Sequence, residues 1–147
     1  MGRTVRKACK TAREKETLFT RMSCINKVGY QVDMLMANLT HTFMQVLKMS
    51  DSKDKLPGVC CLFFRYREDV SKAALKVCPK IDVDYFLSFM DGFSEDTVNL
   101  LCAGLVHGSQ KCQQAVNKIP TLSQRSLRAK PEFSSFIPPL LLILNSL

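Results

Sequence analysis

Seven cysteines are the residues of this chain best equipped for chemistry: Cys9, Cys24, Cys60, Cys61, Cys78, Cys102 and Cys112. Thiols hold zinc, attack carbon as thiolates, or join as disulfides, and spacing separates these uses. Zinc ligands come in tight pairs of the C-x2-C or H-x3–5-H kind. Here no two cysteines stand two to four residues apart, and His41 and His107 are single. A thiol nucleophile needs a histidine base that it meets only in space. Each histidine stands alone on a predicted helical segment, where a structural role is the ordinary one. No catalytic residue, no cofactor and no metal ligand is therefore expected. Disulfides remain, with Cys24, Cys60, Cys61, Cys78, Cys102 and Cys112 as candidates, and an odd total leaves at least one thiol without a partner in the chain. Such a framework belongs to an oxidising compartment.

The adjacent pair Cys60-Cys61 constrains the geometry. Neighbours on a helix point about 100° apart and do not readily bond to each other. Two bridged neighbours must reach two different elements, which makes their helix a hub. Cys78, one helix length later, could staple the far end of that hub. Cys102 and Cys112 flank a glycine-containing turn, and either pair with each other or reach elsewhere.

The elements that must position these cysteines read as helices. Val32, Leu35, Met36, Leu39, Phe43, Val46 and Leu47 recur on one face of a 3.6-residue period. Residues 3–21 are polar and basic, with a thin apolar stripe. A solvated loop is predicted over residues 50–55, closed by Leu56-Pro57-Gly58, with the hub helix running from about Val59 to Val77 and stopped before Pro79. Asp82-Val83-Asp84 opens a short helix bearing Phe86, Phe89 and Met90, which Gly92 is expected to end. Ser94 then caps a further helix carrying Val98, Leu101, Cys102 and Leu105. A last short helix carries Cys112, Ala115 and Val116 as far as Ile119-Pro120. No run alternates strictly at period two. The fold class expected is all-α: one bundle-like domain of five to six short helices, stapled by disulfides. Its division is a basic arm (1–23), the cysteine-containing domain (24–119), a polar linker (120–135) and a short, disordered apolar tail (136–147).

Charge sharpens this division. The chain of 147 residues has a net charge of +8. Residues 1–28 carry eight Lys/Arg against Glu14 and Glu16, whereas residues 29–112 carry nine basic and ten acidic side chains. Basicity therefore lies at the ends and the middle is neutral. A nucleic-acid surface interleaves its cations with stacking aromatics. The basic arm has almost none, which disfavours nucleic acid as a partner. A chain of this length buries roughly 70% of its unfolded surface, so a core of ordinary size is expected beside the disulfides.

The run Val59-Cys60-Cys61-Leu62-Phe63-Phe64-Arg65-Tyr66-Arg67, with Cys78-Pro79-Lys80, Phe86 to Asp91, Leu101-Cys102 and Cys112, resembles small secreted cysteine-rich helical proteins of arthropods. The resemblance covers about residues 24–112. It implies a secreted or surface module and no enzyme activity. The chain departs from the pattern where Asp69 and Val70 stand in place of a further cysteine, and in lacking a secretion leader at its start.

A leader joins a basic stretch to an apolar run, and residues 1–28 supply only the first. Either the chain is cytosolic or its beginning is incomplete, and the cysteines favour the second. Asn38-Leu39-Thr40 makes Asn38 a glycosylation candidate if the chain enters the secretory route. The apolar tail after a serine-containing spacer has the form of a glycolipid-anchor signal, although its small-residue attachment triplets are poor. That signal would make the membrane a partner, and a protein or small ligand is expected otherwise. The function expected is a non-enzymatic binding or structural module, secreted or tethered to the cell surface. Its rival is a cytosolic helical adaptor with reduced cysteines, whose basic arm contacts acidic partners or lipid headgroups.

Overall fold

The computed structural model describes residues 6–147, apart from the side chains of residues 93–95. Within them the chain is all-helical, with no strand. The main elements are α1 (Ala12–Ile25), α2 (Gly29–Leu47), α3 (Ser52–Leu75), α4 (Lys80–Leu101), α5 (Gln110–Asn117), α6 (Gln124–Arg128) and α7 (Ile137–Leu144). A 3-10 turn, Asn26–Val28, joins α1 to α2.

Local chemistry explains most boundaries. Thr11 and Glu14 form a reciprocal capping box that starts α1, satisfying two backbone donors that have no partner inside the helix. Part of the basic arm is thus a helix of the fold, whereas residues 1–5 of that arm lie outside the described residues. The side chain of Asp51 accepts from the backbone N–H of Lys53, so α3 begins at Ser52 and the predicted loop over 50–55 is mostly helix. Pro57 lies inside α3, where it removes one backbone hydrogen bond in the second turn. The packing of Val59, Leu62 and Tyr66 into the core outweighs that loss.

Gly92 does not end α4, which runs unbroken to Leu101, and Cys102 closes it as C-cap. A lone glycine costs a helix about 1 kcal/mol relative to alanine, too little to stop one whose preceding turns pack Phe86 and Met90 onto the core. No separate helix starts at Ser94, whose side chain lies outside the described residues, and Leu105 falls in the turn beyond Cys102. That turn uses left-handed backbone at Gly104 (φ 78°) and Gly108 (φ 74°), a conformation open to glycine at no steric cost.

The tail also differs from expectation. Residues 136–147 are not disordered: Pro138 and Pro139 occupy the first turn of α7, where a proline's missing N–H has no acceptor to lose. The helix docks by burying Pro139 and Ile143, the latter fully. Within the predicted linker, α6 is capped by Ser123, and His41 Nε2 donates to the Ala129 carbonyl at 2.9 Å, fastening that segment to α2.

One core joins Leu39, Phe43 and Val46 of α2 to Val59, Leu62, Tyr66 and Val70 of α3, with Ile143 of α7 completing it. A second joins Ile25, Val28, Ala74, Cys78, Val83 and Leu87, and seats α1 against the start of α4. The Arg21–Asp82 ion pair, at 3.1 Å, closes the edge of that second core. Helix α3 touches α2, α4, α5 and α7, and is the hub that the cysteine doublet implies.

Two disulfides start from this hub, Cys60–Cys102 and Cys61–Cys112, and a third, Cys24–Cys78, ties α1 to the turn just beyond the hub's end, with Cα–Cα separations of 5.6, 5.4 and 5.7 Å. All six candidate cysteines are bridged, and Cys9 is the exposed free thiol. The doublet reaches two different elements, so Cys102 and Cys112 do not pair with each other. Along the chain every disulfide loop overlaps the other two. Residues 24–112 are therefore one cross-linked unit, and residues 61–78 lie inside all three loops.

Candidate functional site

A groove runs between α2 and α3, closed on one side by the chain leaving α5, with a volume of about 640 Å³. Helix periodicity builds it. Leu35, Asn38, Leu39 and Thr42 recur along one stripe of α2, and Leu62, Arg65, Tyr66 and Asp69 along one stripe of α3. Val116, Ile119 and Leu122 supply the third wall. A second recess of about 310 Å³ shares Arg65, Val116 and Asn117 with the groove and extends to His107.

The Cys61–Cys112 disulfide lines this second recess. It ties to α3 the short helix α5, which fully buries only Cys112 and Ala115 and otherwise packs Val116, with Ile119 beyond it, on the main core. Ser109 caps α5 by accepting from the Cys112 N–H. The covalent bond is thus one of the anchors of the groove's third wall.

The groove's charged lining is Arg65 and, one turn further along α3, Asp69. The Arg65 guanidinium is exposed and has no ion-pair partner among the described residues. Three other cations of the neutral middle are paired, Arg67 with Asp91, Lys72 with Glu68 and Lys80 with Asp84, whereas Lys48, Lys53, Lys76 and Lys111, like Arg65, have no ion pair among the described residues. Lys118, just beyond α5, pairs with Asp54 and pins that segment to the start of α3. Lys72, and after it His107, hold the Glu68 carboxylate below its usual range by hydrogen bonding. Burial, with the nearby Asp33 charge, pushes the Tyr66 phenol up to about 12. The groove offers apolar walls, amide and hydroxyl groups from Asn38, Thr42, Asn117 and Thr121, the Arg65 guanidinium and the Asp69 carboxylate. Apolar walls beside a guanidinium suit an amphipathic molecule whose polar end meets Arg65.

The two histidines are held elsewhere. His41 Nε2 is spent on the Ala129 carbonyl, while His107 Nε2 donates to Glu68 and its ring meets Phe64 edge-on. Among the described residues no group of three or more His, Cys, Asp or Glu side chains is placed to hold a metal ion, and no helix is long and apolar enough to cross a membrane. Asn38, singled out for glycosylation, is exposed on α2 and lies in the groove lining, while the Thr40 of its triplet is buried and bonds the Met36 carbonyl. The sequence did not point to Arg65 or to the Val116–Leu122 wall as a site. Arg65 sits one helical turn from Cys61 in the same quoted run, and only the disulfide brings α5 across it. Comparison with protein-family models, curated proteins and solved structures found no match for this chain, so its functional reading rests on the chemistry of the groove.

Proposed function

We propose that this chain is a secreted, non-enzymatic helical module that binds a small amphipathic anion in the groove between α2 and α3. The observation that carries the reading is the Cys61–Cys112 bond in the recess adjoining the groove, one turn from Arg65, whose guanidinium has no ion-pair partner among the described residues. A binding surface fixed by a disulfide keeps its shape only where thiols stay oxidised, so site and compartment support each other. The resemblance to secreted cysteine-rich helical proteins points the same way, and the reduced cytosolic adaptor is the weaker reading. Docking of α7, with Ile143 fully buried, favours retention of the tail over its removal as an anchor signal. Secretion is then the reading, rather than tethering. A glycan on Asn38 would stand in the groove, so this reading also takes Asn38 as unmodified in the active protein.

The test is a titration of the oxidised protein with decanoate, followed by amide chemical shifts. The expected result is saturable shifts along α2, α3 and residues 116–122. Arg65→Ala should weaken binding by about tenfold, since a charge-assisted hydrogen bond is lost. Equal binding by Arg65→Ala, or shifts confined to other surfaces, would remove the groove from the account.

A further inference from the structure

Beside the main core of this chain lies an apolar pocket of about 300 Å³, open in part to solvent. Phe43, Val59 and Phe63 form its floor, Leu101 of α4 one side, and Phe136 and Leu140 of the tail its outer wall. The rings of Phe43 and Phe63 approach Phe136 at centroid distances of 5.8 and 6.0 Å, making the inner surface continuous aromatic carbon. Among the described residues no ionisable side chain lines the pocket. Cys60 and Cys102 are joined to each other, and among the described residues the Thr97 hydroxyl is the hydrogen-bonding side chain in the wall.

We propose that this pocket is a second ligand site, specific for one neutral, apolar small molecule. An apolar cavity of about 150 Å³ takes up benzene, so twice that volume suits about a dozen heavy atoms. Thr97 suits a single hydroxyl or carbonyl on that molecule. A neutral ligand is favoured because the described lining offers an ion no charged partner, while entry strips away part of its water. The site is separate from the groove, with which it shares no lining residue. Its outer wall is also held separately. Ile143 seats α7 in the core, and the nearly buried Lys55 donates to Ser146 Oγ at 2.9 Å beside the carboxyl end of that helix, where a cation is favoured. The tail therefore walls one side of a ligand pocket.

The experiment compares 1-decanol with decanoate on the oxidised full-length chain, reading side-chain methyl shifts of Val59, Leu101 and Leu140. Decanol should shift these methyls saturably, and decanoate should do so about tenfold more weakly or not at all. Leu140→Trp fills the cavity and should weaken decanol binding by about tenfold or more, with amide shifts elsewhere unchanged. Val98→Phe fills it from α4 and serves if the first variant does not fold. Arg65→Ala should bind decanol like the wild type, even if the groove reading fails. Absence of decanol shifts at these methyls, equal binding by a folded cavity-filled variant, or loss of decanol binding in Arg65→Ala would each overturn the second site.

Discussion

Residues 24–112 and residues 113–147 reach the same end by different means. The first region is cross-linked by three overlapping disulfides, whereas no cysteine stands in the second, which is held by packing. Burial explains the difference. In α5 only Cys112 and Ala115 are buried, and in α1 only Ile25. Helices with so thin an apolar face gain little from docking. Each carries a bridged cysteine, Cys112 in α5 and Cys24 in α1. By contrast, α7 is apolar along its whole length and docks through Pro139 and Ile143. Between α1, α5 and α7, covalent bonds stand where burial is poor and packing serves where it is rich, whereas α6, which buries no residue, is fastened through the His41–Ala129 hydrogen bond.

The largest expected effect breaks the covalent side. Replacing Cys61 and Cys112 together by alanine should cost about 2–5 kcal/mol in urea unfolding, because the loop they close spans 51 residues. Amide exchange should rise first across α5, while α7 stays protected. Loss of protection in α7 before α5 would mean that the two regions are not separately held.

Somewhat smaller is the effect of breaking the packed side. Ile143→Ala should cost about 2–4 kcal/mol, since a fully buried aliphatic chain leaves a cavity. The three disulfides should remain formed in this variant, as counted by thiol titration. A cost below about 0.5 kcal/mol, the range of ordinary surface substitutions, would show that the tail is not docked.

A pH titration sharpens the comparison within the cross-linked region. Tyr66 lies inside all three loops, with its phenol raised from 10 to about 12 in the folded chain. A raised folded value means that the contribution is complete below pH 10 and is lost as pH climbs through about 12. The loss should be on the order of 2 kcal/mol at full ionisation. Tyr66→Phe should flatten the stability profile over that interval, measured as the difference from wild type. An identical slope in the variant would exclude Tyr66 as its source.

The smallest effect has the opposite sign. Gly58 lies in the interior of α3, and a Cβ there would meet Ile119 Cδ1 at 3.5 Å and Val46 Cγ2 at 3.8 Å, ordinary contacts. Gly58→Ala should therefore raise stability by about 0.5–1 kcal/mol through the lower entropy of the unfolded chain. A lower urea midpoint would mean that α3 and its neighbours cannot accept even a methyl group.

Sequence legibility follows the same division. The period of Leu35, Leu39, Phe43 and Val46 declared α2, and the angle between Cys60 and Cys61 declared a hub with two separate partners. The identity of those partners was not legible, because Cys102 and Cys112 are brought to α3 only by the turn at Gly104 and Gly108. Punctuation misled where tertiary packing overrides it. Pro57, Gly92 and the Pro138-Pro139 pair look like stops, yet the first two lie inside helices and the last two begin one. The groove was hidden for a related reason. Asn38, Arg65 and Leu122 are distant in sequence, and nothing local tells which polar face of a helix will line a recess.

The central claim is that this chain is a disulfide-held module whose covalent frame shapes its groove. Thiol counting on the denatured, unreduced protein recovered from a secretory host, followed by peptide mapping of the bonds, tests it most directly. The account predicts one free thiol, at Cys9, and the bonds Cys24–Cys78, Cys60–Cys102 and Cys61–Cys112. Seven free thiols, or a Cys102–Cys112 bond, would contradict it.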